Sequence, residues 1–333
     1  MFESATEETI VHTKNRFKSC FPVFACAALA GALATQPVRA QTYPEQPVQV
    51  LVGWAAGGII DATARAFARS ISEVSGGSFV VMNRDGASGM IGAQQVARAR
   101  PDGYTIGFGP ITPIAAVSYT MRNPGYSAND FQYICKVYDN VFTVMVPADS
   151  PYRTIQQLMA DIKARPGKLS YGHFGPNSLG NMVGRNLLDT LQLQAVEVPY
   201  KGEAPIYPEL MAKRLDFAIG TLNGGRGKPI RILGVVSDER VAGVDAPTLK
   251  EAGLPSLDPA QVGVFVPKGV SREVQTRLGE LCDKTIKSES FRAQMGVLQQ
   301  QITYRDQTAF TRLAMDSFAA QIAQAKKMDI KPE

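Results

Sequence analysis

The chain has 333 residues, 45% of them hydrophobic and 20% charged, with two histidines, four cysteines and a formal net charge of +5. The charges are scattered rather than gathered into a basic face or stripe, which excludes a nucleic-acid-binding surface and leaves a weak preference for anionic small molecules. So few histidines exclude a histidine-based metal centre.

In chain order, the first feature is a leader. Lys14, Arg16 and Lys18 precede an uncharged, mostly apolar run from Cys20 to Thr35, which ends at Val38-Arg39-Ala40. A basic start, an apolar core and a small-residue end describe a secretory signal peptide. The core is too short for a comfortable membrane span. Phe24 is too bulky for the approach to a lipidated Cys26. Cleavage is expected after Ala40, giving an exported, periplasmic protein that begins at Gln41. The leader carries Lys14, Arg16, Lys18 and Arg39 against Glu3, Glu7 and Glu8, so the remainder is about +4. Cys135, Cys282 and His173 remain after cleavage. Two cysteines are either buried thiols or, since export permits it, one bridge.

Strand-like runs follow at Val48 to Gly53, Phe79 to Asn83, Tyr104 to Gly109, Thr143 to Pro147, Leu169 to Tyr171, Ala195 to Tyr200, Phe217 to Thr221, Ile230 to Ser237 and Val262 to Pro267. Between them lie helical patterns. In 61–75, Phe67, Ile71 and Val74 share one face while Arg65, Arg69 and Ser72 face away. Similar patterns cover 154–164, 181–191, 204–213, 271–287 and 306–326. Alternating strands and helices predict an α/β protein with mostly parallel sheets. About 290 residues after the leader exceed one core, so two domains are expected, without a flexible linker.

Catalytic motifs are weak. Gly86 to Gly92 reads GASGMIG, and Asn83-Arg84-Asp85 separates it from the preceding strand, which breaks the dinucleotide fingerprint. Gly175 to Gly180 reads GPNSLG, one residue too long for a hydrolase elbow. His173 precedes Ser178, the reverse of the order in such hydrolases. Ser178 instead has the place of a helix N-cap. No general base with a partner stands out, so an enzyme is not expected.

Three glycine-rich strand-to-helix corners share a design: AAGGIID, GASGMIGA and FGPNSLG. Each points helix N-terminal N–H groups into a loop, an arrangement that binds anions. Together they predict capture of a carboxylate or phosphate in a cleft.

The segments YPEQPVQVLVGWAAGGIIDATAR, GASGMIGA, PDGYTIGFG, PGKLSYG, VPYKGEAP, LDFAIG and APTLKEAGLP run in this order. The chain thereby resembles the Bug family, the periplasmic solute-binding proteins of tripartite tricarboxylate transporters, over essentially its whole length after the leader. The resemblance implies a two-lobed Venus-flytrap fold of the type II-like class, each lobe a mixed sheet flanked by helices. The lobes would be 44–143 with 263–333, and 144–262. It also implies a monomer without cofactor or metal, a carboxylate ligand held by loop backbone groups, and membrane transporter subunits as partners. A sensor that presents its closed form to a membrane kinase reads the same closure.

Departures from the family pattern bear on the ligand. Trp54 stands where phenylalanine is usual, and a polar residue near Ile60 is missing. His173 and Phe174 are large for a ligand-facing loop. Gly220 stands where an acid is usual, which argues against an amino-acid ligand. The expected ligand-binding set is Trp54, Gly57, Gly58, Ile59, Asp61, Ser88, Gly89, Pro110, Thr112, His173, Phe174, Asn177, Ser178, Tyr200, Lys201 and Gly202. Gly57, Gly58 and Ile59 would donate to one carboxylate, Asn177 and Ser178 would hold a carboxylate from the other lobe, and His173 and Phe174 would lie against the ligand body. The aromatic residues favour a flat diacid of the terephthalate type over an aliphatic one such as malate.

Overall fold

A computed structural model describes residues 43–122, 125–176 and 178–327. The leader, its cleavage point after Ala40, and Asn177 lie outside the described residues. The elements in chain order are β1 (Val48–Val52), α1 (Ile59–Ser75), β2 (Phe79–Asn83), α2 (Met90–Ala97), β3 (Thr105–Pro110), α3 (Thr112–Thr120), β4 (Phe131–Asn140) and β5 (Phe142–Pro147). Then come α4 (Ile155–Ala164), β6 (Ser170–His173), α5 (Leu179–Thr190), β7 (Val196–Pro199), α6 (Ile206–Met211), β8 (Phe217–Thr221), α7 (Leu222–Gly225) and β9 (Ile230–Val236). The chain closes with β10 (Ala260–Pro267), α8 (Arg272–Lys287), α9 (Glu289–Val297), β11 (Ile302–Arg305) and α10 (Gln307–Lys327).

These strands form two sheets, in the orders β11-β4-β10-β3-β1-β2 and β7-β6-β8-β5-β9. Both are mixed rather than mostly parallel. In the first sheet β1 runs parallel to β2 and β3, while β10 runs antiparallel to β3 and β4. In the second, β6 is parallel to β7 and β8, while β5 is antiparallel to β8 and β9. The antiparallel members are the strands that carry the chain from one sheet to the other. Val141 alone separates β4 from β5, and residues 237–259 connect β9 to β10. Phe142 and Thr143 are already paired in the second sheet, and Ala260 to Val262 are paired in the first.

Each sheet is covered on both faces over its central strands, while the edge strand β7 is largely exposed. On the first, Phe67, Ile71, Leu278, Leu281 and Phe291 from α1, α8 and α9 cover one side. Ala93, Ile114, Phe310 and Phe318 from α2, α3 and α10 cover the other. On the second, Ile155, Leu158, Ile162, Val183 and Leu187 from α4 and α5 oppose Ile206, Tyr207 and Leu210 from α6. The α1 stripe behaves as its spacing predicts: Phe67 and Ile71 are buried and Val74 packs at the margin. Gly76, at φ 72°, ends the helix in the left-handed conformation that lacks a Cβ penalty. A smaller cluster of Ala116, Tyr119, Met182 and Ala325 joins helices of the two sheets, and Gln324 donates to Asn186 at 2.7 Å beside it.

The open question of the two cysteines is answered by a disulfide. Cys135 on β4 and Cys282 on α8 are bonded, with Cα atoms 6.7 Å apart and a sequence separation of 147. Closing so long a loop restricts the unfolded chain. Replacing both residues, Cys135→Ala with Cys282→Ala, should therefore lower unfolding free energy in urea by roughly 2–4 kcal/mol. A double variant as stable as its parent would show that the bridge contributes nothing.

Candidate functional site

Strand direction determines where the loops go. The C-terminal ends of β1, β2 and β3 and of β4 lie on one edge of the first sheet, where Asn140 pairs with Ala260. The C-terminal ends of β6, β7, β8 and β9 lie on one edge of the second, beside Phe142 at the start of β5. Since Asn140 and Phe142 are separated by one residue, the two loop-bearing edges meet at the crossover. Open α/β sheets bind ligands outside the carboxyl ends of their strands, and every corner singled out in the sequence lies on one of these edges.

On the first edge, Asp61 organises the corner between β1 and α1. It is 3% exposed. Its Oδ2 accepts from Gly57 N–H and from Arg65 Nε, each at 2.9 Å, and its Oδ1 accepts from Asn83 Nδ2 at 2.9 Å. Asn83 also donates to the Trp54 carbonyl at 2.9 Å. Burial pushes the Asp61 pKa up, but the hydrogen bonds from Arg65, Gly57 and Asn83 outweigh it and hold the carboxyl below its ordinary value. Asp61 therefore faces its own corner. Gly57 donates to Asp61, not to a ligand as expected. The first helical bond of α1 runs from Ala62 N–H to Gly58 O, and Gly58 provides no side-chain cap. The N–H groups of Ile59 and Ile60 thus remain at an uncapped helix N-terminus.

Trp54 is half-buried and lies across glycine backbone. A Cβ on Gly89 or on Gly109 would stand 2.7 Å from the indole. The adjoining turn is unusual. Gly86, Ala87, Ser88 and Gly89 have φ values of 132°, 46°, 53° and 94°. For Ala87 and Ser88 this region costs on the order of 1–2 kcal/mol each. Ser88 is exposed and Gly89 buried. Pro110 is buried at the end of β3, and Thr112 begins α3 partly exposed.

On the second edge, His173 and Ser178 are engaged by the protein itself. His173 is 1% exposed. Its Nδ1–H donates to Gly175 O at 3.0 Å, and its Nε2 faces Asn181 Nδ2 at 3.5 Å and Glu197 Oε2 at 3.8 Å. Burial pushes the imidazole pKa down, against the upward pull of the Gly175 bond and the Glu197 charge. The ring shapes the loop from beneath. Ser178 is also occupied: it accepts from Asn181 N–H at 3.2 Å and donates to Gly175 O at 2.7 Å, the N-cap predicted as its structural role. Phe174 is half-buried and stacks on Phe142 at 5.5 Å, with its ring over Gly180. Tyr200 is half-buried, and its N–H donates to His173 O at 2.9 Å. Lys201 and Gly202 are exposed, Gly202 at φ 89°.

The acid missing from Gly220 is supplied from elsewhere. A Cβ on Gly220 would stand 3.1 Å from Glu203 Oε1. Glu203 accepts from Thr221 N–H, from Thr221 Oγ1 at 3.0 Å and from the Tyr207 hydroxyl. The sequence reading missed it because an acid in one loop does not reveal which strand end it will reach. The signal available was the i, i+4 pair of Glu203 and Tyr207. Among the described residues, no group of three or more His, Cys, Asp or Glu is placed to hold a metal.

The family described as tripartite tricarboxylate transporter family receptor matches residues 63–330. A Pseudomonas sp. (strain P51) protein described as UPF0065 protein in the tcbD-tcbE intergenic region is 34% identical over 270 residues, 78% of this chain and 80% of that protein. Protein BugT of Bordetella pertussis is 30% identical over 283 residues, covering 80% and 85%. Among solved structures, the periplasmic binding protein BugD is similar at a TM-score of 0.75 and 28% identity, over 87% of this chain and 100% of that one. R. palustris Rpa4515 with adipate is similar at 0.76 and 28%, with the same coverage. The two sheets are therefore the lobes of a periplasmic-binding-protein fold.

The Asp61 arrangement has a pH signature. A folded pKa below the ordinary 3.8 means that the carboxylate stabilises the fold fully above that value, and that this stability is lost as pH falls through the folded pKa. Asp61→Asn should be less stable than the parent at neutral pH, with the gap narrowing as pH falls below 3.8. Urea unfolding of both proteins across that range measures it; a gap independent of pH would contradict the assignment.

Proposed function

The chain belongs to the tripartite tricarboxylate transporter receptor family, and from that premise we propose that it captures an aromatic dicarboxylate of the terephthalate type between its lobes. The lobes are taken from the expected 44–143 with 263–333, and 144–262, with the seams moved to Val141 and to 237–259, because Phe142 and Thr143 pair in the second sheet and Ala260 to Val262 in the first. The observation that carries the reading is the pair of half-buried aromatics, Trp54 and Phe174, on two loop-bearing edges that meet at the crossover. A flat ring between them gains contact on both faces and loses little conformational freedom. One carboxylate meets the uncapped start of α1 at Ile59 and Ile60, where helix dipole and N–H groups favour an anion. Gly58, Ser88 and Gly89 line the same edge. The second carboxylate meets the loop that holds Asn177, with Tyr200, Lys201 and Gly202 beside it. The adipate bound to R. palustris Rpa4515, at 28% identity, supports a dicarboxylate.

The protein acts after export to the periplasm with its leader removed. It works as a monomer, needs no cofactor, and delivers its ligand unchanged to membrane subunits of the transporter. Glu203 favours one second reading, an amino-bearing carboxylate, whose ammonium would meet that charge at the end of β8. It also removes the premise on which an amino-acid ligand was disfavoured.

Calorimetry with terephthalate, isophthalate, phthalate, adipate, malate and glutamate separates these readings. Terephthalate should bind most tightly and be recovered unaltered. Adipate or malate binding more tightly than every aromatic acid would overturn the aromatic reading, and glutamate binding most tightly would establish the second. Phe174→Ala should raise the terephthalate Kd roughly two- to tenfold, the equivalent of one lost ring contact, and leave adipate binding nearly unchanged.

A further inference from the structure

We infer that Glu203 is a positioning residue of the cleft, a carboxylate bracket that fixes the Tyr200–Gly202 turn against the end of β8. Three donors from two elements converge on it. Thr221 contributes its N–H and its hydroxyl, and Tyr207 contributes its hydroxyl. The Thr221 hydroxyl is itself tied in: while donating to Glu203 it accepts from Gly224 N–H at 3.1 Å, which caps α7. One side chain thus links the turn after β7, the start of α6, the end of β8 and the start of α7.

The surroundings are built to admit this carboxylate. A Cβ on Gly220 would stand 3.1 Å from both Glu203 Oε1 and the Tyr207 oxygen, and 3.2 Å from Met145 Cε. A Cβ on Gly224 would stand 2.8 Å from Glu203 Oε1. Neither glycine has a positive φ, so their smallness answers to space, not to backbone conformation. The Tyr207 hydroxyl is buried, and both burial and the Glu203 charge raise its pKa, so it stays protonated and donates. Lys228 lies over the Tyr207 ring at 4.8 Å and donates to Gly224 O at 2.7 Å, placing a cation beside two members of the same group.

The cleft-facing turn has few other ties. Tyr200 N–H reaches His173 O, and Gly202 N–H folds back to Tyr200 O at 3.1 Å. Without Glu203 the Thr221 N–H and the Tyr207 hydroxyl lose their carboxylate, and the turn loses its link to β8. An acid at position 220 would put its carboxylate into the same space, but only with Glu203 gone.

Amide hydrogen exchange of the unliganded chain tests this without any ligand. Glu203→Ala should speed exchange in residues 200–206 and 220–226 about tenfold, the effect of leaving a buried donor unpaired, with α1 unchanged. Gly220→Asp alone should disturb the same segments, because its side chain meets Glu203. The paired change, Glu203→Gly with Gly220→Asp, should restore protection. Unchanged exchange in Glu203→Ala, or a Gly220→Asp effect as large in the Glu203→Gly background as alone, would overturn the inference. Should Glu203→Ala fail to fold, Glu203→Gln is scored by the same criterion. A second arm rests on the proposed function: the terephthalate Kd should rise about tenfold in Glu203→Ala and recover in the paired variant. If terephthalate does not bind the parent, that reading fails, and exchange still decides the bracket.

Discussion

The single residue between β4 and β5 is the constraint on which the site depends. Asn140 ends a strand of one sheet, Phe142 begins a strand of the other, and Val141 is all that lies between. Its carbonyl accepts from Leu222 N–H at 2.8 Å, so even this residue is tied to the second sheet. A strand that leaves one sheet and enters another across one peptide cannot carry the two far apart. Because both sheets present their strand C-termini at that crossing, every loop that follows a parallel strand is brought to the same region. The gathering of the loops follows from connectivity before any side chain is considered.

On these edges, much of the obvious polar equipment serves the protein itself. Asp61 takes the Gly57 N–H, Ser178 caps α5, and His173 holds Gly175 from below. Such internal satisfaction is what a loop needs to keep one shape without a ligand, and preorganisation lowers the cost of binding. Backbone N–H groups at the start of α1 and the half-buried rings of Trp54 and Phe174 are what these edges leave over. The left-handed turn at Gly86 to Gly89 fits this scheme, since it sets strained backbone beside the Trp54 ring.

The fold was legible where periodicity is strong. The helical patterns at 154–164, 271–287 and 306–326 match α4, α8 and α10 within a residue at each end. β4 escaped because Gln132, Lys136 and Asp139 interrupt its apolar run, and a strand covered on both faces has no alternation to betray it. Lys136 tolerates burial there by pairing with Asp139 at 2.7 Å. α3 escaped because Pro113, Ile114 and Val117 are poor helix signals, although proline is tolerated in a first turn. In the site, the corners were legible as corners. Which N–H groups they keep free was not: Asp61 and Glu203 each have a partner four residues away, but Asn83 reaches Asp61 from β2 and Glu203 reaches Thr221 at the end of β8, and no spacing encodes those two contacts.

Trp54 is the one tryptophan in the 333 residues, and it stands on a loop-bearing edge with its ring on the backbone of Gly89 and Gly109. The chain therefore carries its own optical reporter. Excitation of indole samples this corner alone, without background from a second tryptophan. Any molecule that displaces water from the ring, or any closure that brings the second lobe over it, changes its emission. The same residue that packs on the glycine backbone of the first sheet makes events at this corner readable in a fluorimeter, with no label attached.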